Sequence, residues 1–189
     1  MTILVMAAFY GFYFYKKWDQ TNRGIRADYL AVDKTGFVRK IELGVKIGAY
    51  LIPVVQIFNI IRNKSALPSF LRFIGLLAAV AGTVIFIMSA LTMNDNWRIG
   101  VPIEDKTDLV TSGLYSYSRN PAFVGFDLMY IGIMMMFFNF ALFVLTAAVI
   151  ALLHLQIVNV EEDYMTAAFG ERYIAYKNTV NRYFGRKAQ

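Results

Sequence analysis

Residues 70–93, FLRFIGLLAAVAGTVIFIMSALTM, form the segment that decides the fold. Arg72 is the one charged side chain in this stretch, and a helix needs about 20 apolar residues to cross the hydrocarbon core of a bilayer. The segment is therefore predicted to be a transmembrane helix. Hydrophobic residues make up 58% of the 189-residue chain and are grouped in blocks of this kind, which favours several membrane spans over a soluble core.

Four further apolar segments predict an all-α integral membrane bundle of about five transmembrane helices. They are residues 3–15, residues 41–61, Pro121–Phe138, and Phe140 to about Val160. The first is short for a full span, but it lacks the basic leader and cleavage site of a signal peptide, so we expect a retained helix. No linker rich in Pro, Gly or Ser divides the chain, which predicts one domain over residues 1–189.

The Lys and Arg residues predict how the spans are oriented. Residues 16–40, 94–119 and 161–189 together carry fifteen of them. The loop between the second and third spans, with the first turn of the third span, carries three: Arg62, Lys64 and Arg72. Cytoplasmic loops carry the excess of basic residues, so we expect the N-terminus outside and the C-terminus in the cytoplasm. This topology accounts for the net charge of +6, with some attraction to anionic lipids. Nucleic acid is therefore not an expected partner.

The chain contains no cysteine, and His154 is its one histidine. Disulfides, thiolate nucleophiles, Cys-ligated metals and multi-histidine metal sites are thereby excluded. A carboxylate-only magnesium site is the one metal alternative left open, and no metal is expected.

Two polar stretches, residues 96–125 and 154–184, are predicted to meet on the cytoplasmic side. In the first, Asn120 is a favoured helix N-cap and Pro121 a favoured first helical residue, so a span is expected to begin there. The free N–H groups of a helix start, together with Arg119, suit a carboxylate or phosphate. The alternative is a plain capping motif with Arg119 bound to a lipid phosphate.

The second stretch contains His154, Glu161 and Glu162. His154 and Glu161 are seven residues apart, which predicts one shared helix face. A carboxylate pair just past a span is costly to leave unpaired, and Arg119 is the expected partner. The glutamates could hold an ammonium group or ribose hydroxyls, or they could form a structural clamp with Arg119 while a backbone carbonyl satisfies His154. Asp127, inside a span, is a candidate for a direct role or for a structural acceptor.

A last helix is predicted from the spacing of apolar side chains near the C-terminus. Tyr173, Tyr176, Val180 and Tyr183 or Phe184 recur every three or four residues, which indicates an amphipathic helix lying at the membrane surface. Gly170 is expected to break the preceding helix.

Three motifs occur in order along the chain. They are LVTSGLYSYSRNP at residues 109–121, H-x-Q-x-x-x-VEEDYM at residues 154–165 and FGERYIAYKNTVNRY at residues 169–183. Together they resemble the isoprenylcysteine carboxyl methyltransferase family and the related phospholipid methyltransferases, over roughly residues 70–185. The resemblance implies an S-adenosylmethionine-dependent membrane methyltransferase that acts on a lipophilic or lipidated acceptor.

The resemblance also implies a cytoplasmic cofactor pocket with two walls. One wall would comprise Gly113, Tyr115, Arg119, Asn120 and Pro121, and the other His154, Glu161 and Glu162. Arg119 and Glu161 would be the catalytic residues. Asn120 and Phe123 stand where the isoprenylcysteine carboxyl methyltransferases have His and Tyr. A ligand contact made by the histidine of those enzymes is therefore not assigned to Asn120. This variant resembles a bacterial branch, for which the bacterial cytoplasmic membrane is the expected location.

Two other functions remain open at this point. An NADPH-dependent membrane reductase of the sterol type would need several basic residues for the 2′-phosphate, and the acidic run at residues 161–163 argues against it. A non-catalytic lipid-binding module explains the spans, but it gives no reason for Arg119, His154 and the carboxylate pair to occur in this order.

Overall fold

The computed structural model describes residues 1–101 and 107–187, and within these residues the chain is helical without a β-strand. The helices are α1 (Thr2–Asn22), α2 (Gly36–Arg62), α3 (Ser69–Met93), α4 (Pro121–Met136), α5 (Phe140–Gln156), α6 (Glu162–Phe169) and α7 (Glu171–Thr179). Short 3₁₀ turns occupy Asn94–Asn96 and Gly113–Ser116, and a π turn, Ile157–Glu161, joins α5 to α6. Residues 102–106, part of the first polar stretch, lie outside the described residues.

Three helical segments are long and apolar enough to cross a membrane: Gly36–Arg62, Ser69–Asn96 and Phe140–Phe169. Helix α4 is apolar but shorter, and α1 continues past the predicted residues 3–15 into a polar segment that ends at Asn22. Large hydrophobic side chains on α2 and α3 face outward, as lipid-facing side chains do. The protein is therefore an integral membrane protein, and the count of five spans stays a prediction.

Helices α3 and α4 pack closely because glycines face each other across their contact. A Cβ atom added at Gly82 would lie 2.5 Å from the Met129 backbone N, and one at Gly125 would lie 2.8 Å from the Gly82 carbonyl oxygen. Gly132 likewise meets the Gly75 backbone. Small residues allow two membrane helices to approach closely where no hydrophobic effect drives them together. This contact fixes the first turn of α4, where the polar site begins.

Helices α1, α2 and α5 surround the α3–α4 pair and leave a space between α1 and α2. Helix α1 packs on α3 and α2 packs on α5. Phe9 lies against Phe86 and Phe126, with ring centroids 4.7 and 4.9 Å apart, which attaches α1 to the α3–α4 pair. The space between α1 and α2 is lined by apolar side chains of both helices and forms part of the cavity described below.

The C-terminal segment confirms part of the predicted amphipathic helix. Gly170 adopts a φ of +51° and separates α6 from α7, and Tyr173, Tyr176 and Val180 are buried as one cluster. The extension of the helix to Tyr183 or Phe184 is wrong. Helix α7 ends at Thr179, because Val180 is extended (φ −120°, ψ 135°) and pairs with the backbone of Arg186.

Candidate functional site

The start of α4 lies where the sequence predicts it, with Asn120 at the N-cap and Pro121 as first helical residue. The Asn120 side chain does not cap the helix, however. Its Nδ2 donates to the Arg182 carbonyl oxygen at 3.1 Å, and its backbone N–H donates to Ser118 Oγ at 3.1 Å. Pro121 has no N–H, so the N–H groups of Ala122 and Phe123 are those left at the helix start without a side-chain acceptor in the described residues. Ala122 and Phe123 in that turn line the cavity. The helix start is therefore open to an external acceptor of hydrogen bonds.

Arg119 is held rigidly beside this helix start. Its side chain is 5% exposed, and its Nε donates to the Val180 carbonyl oxygen at 3.1 Å. Its Nη1 donates to the Tyr173 hydroxyl at 2.8 Å and lies 3.0 Å from Glu162 Oε1. Burial raises the pKa of Tyr173, so the phenol stays protonated and accepts this hydrogen bond as a neutral group.

Glu162 joins three cations from three parts of the chain. Its carboxylate is 7% exposed and pairs with Arg119, with Lys177 Nζ at 3.1 Å and with Arg182 Nε at 2.7 Å. Arg182 Nη2 adds a second hydrogen bond at 3.2 Å, and the hydrogen bonding to Glu162 raises the pKa of Arg182. The structure therefore contains the predicted clamp between the two polar stretches, with Glu162 as its carboxylate.

The charges in this cluster do not balance. One carboxylate faces three cations, which leaves a positive excess next to the cavity wall formed by Arg119. In a partly desolvated site such an excess attracts an anionic group of a ligand.

Glu161 has different surroundings from its neighbour. Its side chain lines the cavity, and in the described part of the chain no Lys or Arg forms an ion pair with it. The π turn, Ile157–Glu161, explains why the shared face predicted for His154 and Glu161 is wrong. A π turn adds residues to one helical turn and shifts the register, and such turns are frequent at functional sites.

The cavity has a volume of about 740 Å³ and a polar and an apolar end. Its polar end is bordered by Arg119, Asn120 and Glu161, with aromatic side chains around them: Trp97, Tyr115, Phe123, Tyr164, Tyr173 and Tyr176. Its apolar end extends between α1 and α2, along Ile3, Met6, Ala7, Pro53, Ile57 and Ile61. One cavity thus connects opposite charges on its walls to a groove suited to an alkyl chain.

The predicted site residues divide into two groups. Tyr115, Arg119, Asn120 and Glu161 line the cavity, and the Tyr115 carbonyl oxygen accepts from the Tyr176 hydroxyl at 2.5 Å. Gly113, Pro121, His154 and Glu162 are not among the lining residues of the described chain. Gly113 has a φ of +59° and packs on Thr92, and Pro121 is buried at the start of α4. Neither Gly113 nor Pro121 therefore contacts the cavity directly.

His154 and Asp127 lie away from the cavity wall. His154 is exposed, and its Nδ1 contacts the Tyr183 hydroxyl rather than the backbone carbonyl considered from the sequence. The Asp127 Oδ1 is buried without a hydrogen-bond partner in the described residues. Neither side chain lies where it would contact a ligand in this cavity.

Glu42 and Gln156 are polar residues of the site region to which the sequence assigned no role, although Gln156 is part of the motif H-x-Q-x-x-x-VEEDYM. Glu42 is fully buried in α2, and Gln156, 1% exposed, lines the cavity from the end of α5. A signal was present, because an ionisable residue within an apolar span is a functional candidate by default. Glu42, like Asp127, is an ionisable residue within an apolar span and was a candidate on the same ground.

Comparison with known proteins finds one matching family profile and two similar enzymes. The family profile described as phospholipid methyltransferase matches residues 56–172. The protein-S-isoprenylcysteine O-methyltransferase of Schizosaccharomyces pombe is 36% identical over 72 residues, which cover 38% of this chain and 30% of that protein. Its namesake from Saccharomyces cerevisiae is 28% identical over 134 residues, covering 70% of this chain and 54% of that protein. The chain thus spans about half or less of the length of these relatives.

Removing the carboxylate charge with Glu162→Gln should destabilise the protein by about 3 kcal/mol, because it leaves Arg119 buried without a counter-charge. The matched control is Lys177→Met, which removes a partner that is 42% exposed and should cost less than about 1 kcal/mol. Unfolding of both variants by denaturing detergent measures the difference. Equal destabilisation by the two substitutions would contradict the assignment of Glu162 as the centre of the cluster.

Proposed function

The chain belongs to the phospholipid methyltransferase family, and from this premise we propose that it transfers a methyl group from S-adenosylmethionine to a lipophilic acceptor at the membrane. The observation that carries the proposal is the single cavity that joins a charged end, with Arg119 and Glu161, to the apolar groove between α1 and α2. A water-soluble charged donor and a membrane-embedded acceptor need these two environments in contact.

The charged end fits the groups of S-adenosylmethionine. Arg119 and the open first turn of α4 would hold the α-carboxylate, supported by the positive excess around Glu162. Glu161, which has no cationic partner within ion-pair distance in the described chain, would hold the α-ammonium. The aromatic side chains that border this end, among them Tyr115, Tyr173 and Tyr176, would cover the adenine.

The protein's part in the reaction is alignment and the exclusion of water. S-adenosylmethionine supplies a methyl group on a sulfonium, which a lone pair of the acceptor displaces while the bonding electrons stay on sulfur. The chain therefore needs no nucleophile of its own. The apolar walls exclude water from the acceptor, and the groove aligns its head with the charged end. A carboxylate or thiolate acceptor needs no general base, whereas a protonated amine would first have to lose a proton.

The groove between α1 and α2 supports an acceptor that carries a lipid chain. Side chains of α1 and α2 line it, and their outer neighbours Leu4, Phe58 and Val54 are exposed as lipid-facing groups are. An acceptor with a lipid chain would enter laterally between these helices and present a carboxylate, thiol or amine at the charged end. The two yeast relatives bear the name of an enzyme acting on isoprenylcysteine, which is consistent with a lipidated acceptor.

The proposed arrangement has five membrane helices, with the N-terminus outside and the charged end of the cavity in the cytoplasm, where the methyl donor is made. The asymmetry of Lys and Arg supports it, since fifteen lie on the side of the polar stretches. A bacterial cytoplasmic membrane is the proposed location.

Titration of the detergent-solubilised protein with S-adenosylmethionine should show saturable binding. Glu161→Gln should weaken it by about ten- to a hundredfold, the value of a hydrogen bond to a charged group. The control is Glu171→Gln, an exposed glutamate of α7 outside the cavity lining, which should leave the affinity unchanged. Binding of NADPH but not of S-adenosylmethionine would overturn the proposal in favour of the reductase.

Single cysteines test the orientation without background, because the chain has none of its own. Lys64→Cys, in the exposed loop after α2, should react with a membrane-impermeant maleimide on intact cells. Asn178→Cys, exposed on α7, should react only after the cells are permeabilised. The reverse pattern of labelling would contradict the orientation.

A further inference from the structure

Three polar side chains, Glu42, Gln156 and Glu161, lie close together beside the cavity. Gln156 and Glu161 line it, and Glu42 and Gln156 have no place in the function proposed above. Glu42 on α2 is fully buried, and Gln156 at the end of α5 is 1% exposed. The Gln156 amide donates a hydrogen bond to the Glu161 carboxylate, whereas Glu42 acts on that carboxylate through its charge. Glu42 precedes the region matched by the family profile, residues 56–172, so it belongs to the part of the chain about which that match says nothing.

Glu42 fixes the orientation of the Gln156 amide. Its Oε2 accepts from the Ala31 backbone N–H at 2.8 Å, which anchors the carboxylate to the loop before α2. Its Oε1 accepts from Gln156 Nε2 at 3.4 Å. An ionised carboxylate can only accept hydrogen bonds, so it draws the NH₂ group of Gln156 towards α2 and turns the amide oxygen away.

The amide oxygen of Gln156 is left without a partner. Its Oε1 is buried and accepts no hydrogen bond from the described residues, although Gln156 lines the cavity. A buried acceptor of this kind costs free energy comparable to a lost hydrogen bond. Its orphaned state, next to a carboxylate that also lacks an ion pair, indicates that a donor enters from the cavity.

The geometry points to a binding site for an alkylammonium group, formed by Gln156 Oε1 and the Glu161 carboxylate and oriented by Glu42. Gln156 Oε1 and the Glu161 carboxylate are both acceptors, and the charge of Glu42 behind them makes the local potential more negative. Lys34 stabilises the Glu161 carboxylate from longer range, and it makes no ion pair with Glu161 in the described chain that would occupy the site. The described residues hold no cluster of three metal-ligating side chains, so an organic ammonium suits the site better than a metal ion.

Two ligands of the proposed reaction can supply this group, and the inference rests on that proposed function. One is the α-ammonium of S-adenosylmethionine, and the other is the amine head of a lipid acceptor. Both would donate N–H to the Gln156 oxygen while the charge is balanced by Glu161. Gln156 is thus a binding residue, and Glu42 is a positioning residue that acts through it.

The test compares ligands that differ only in the ammonium group. Affinities are measured for S-adenosylmethionine and its analogue with a keto group in place of the α-ammonium, and for lysophosphatidylethanolamine and its N-acetyl derivative. Gln156→Leu should weaken binding of the ammonium-bearing member of at least one pair about tenfold or more, while its uncharged counterpart is bound as before. Glu42→Gln should give a smaller loss with the same selectivity, because the amide is no longer held in one orientation.

Asn159→Leu is the matched control, since it removes a side-chain amide from the neighbouring π turn, and Asn159 does not line the cavity. It should leave every affinity unchanged. Selective loss in the first pair would assign the site to the methyl donor, and selective loss in the second would assign it to an amine acceptor. Equal loss or no loss for both members of both pairs would overturn the inference. Failure of the unaltered protein to bind S-adenosylmethionine would instead overturn the proposed function, and this outcome is distinct from those that overturn the ammonium site.

Discussion

One buried carboxylate, that of Glu162, holds the polar end of this membrane protein together. Arg119 comes from the residue before α4, Lys177 from α7 and Arg182 from the C-terminal segment, and all three converge on it. Removing charges from water is costly, and their mutual attraction repays this only when the geometry is good. The cluster therefore commits four parts of the chain to one arrangement, and that arrangement forms the charged end of the cavity.

Two consecutive glutamates carry out separate tasks as a result. Neighbouring residues on a helix point about 100° apart, so Glu161 and Glu162 cannot face the same partners. Glu162 lies at the start of α6 and faces the cations, whereas Glu161 closes the π turn and faces the cavity. Because Glu162 already neutralises part of the positive charge, Glu161 remains available for a cationic group of a ligand. Charge of both signs on one cavity wall suits a zwitterionic donor.

Much of this arrangement could be predicted from the sequence, because membrane helices follow from long apolar runs. Residues 70–93 and the Asn120-Pro121 step predicted the limits of α3 and the start of α4 to within a residue. The pairing of Arg119 with one of the two glutamates, Glu162, followed from the cost of an unpaired charge near a membrane. The order of the motifs indicated the methyltransferase family.

Other features depend on tertiary contacts that spacing does not contain. The π turn moved His154 off the face of Glu161, because the predicted register assumed a regular helix. Helix α7 ended early because Val180 pairs with Arg186 across a short loop. Glu42 acquired its role only through two contacts. One is with Ala31, in the loop before α2, and the other is with Gln156, at the end of α5. No local pattern around residue 42 distinguishes that role from a structural one.

The central claim is that a methyl group passes from a water-soluble donor to a membrane-embedded acceptor within this cavity. In the most direct measurement, membranes that contain the protein are incubated with S-adenosylmethionine labelled in its methyl group, together with lipid extract and prenylated cysteine. The label that enters the organic phase is then measured. Label should appear in a lipid product with the unaltered protein, and at least about tenfold less label should appear with Glu161→Gln, because a charged contact to the donor is lost. Equal labelling with both proteins, or none above membranes lacking the protein, would contradict this claim.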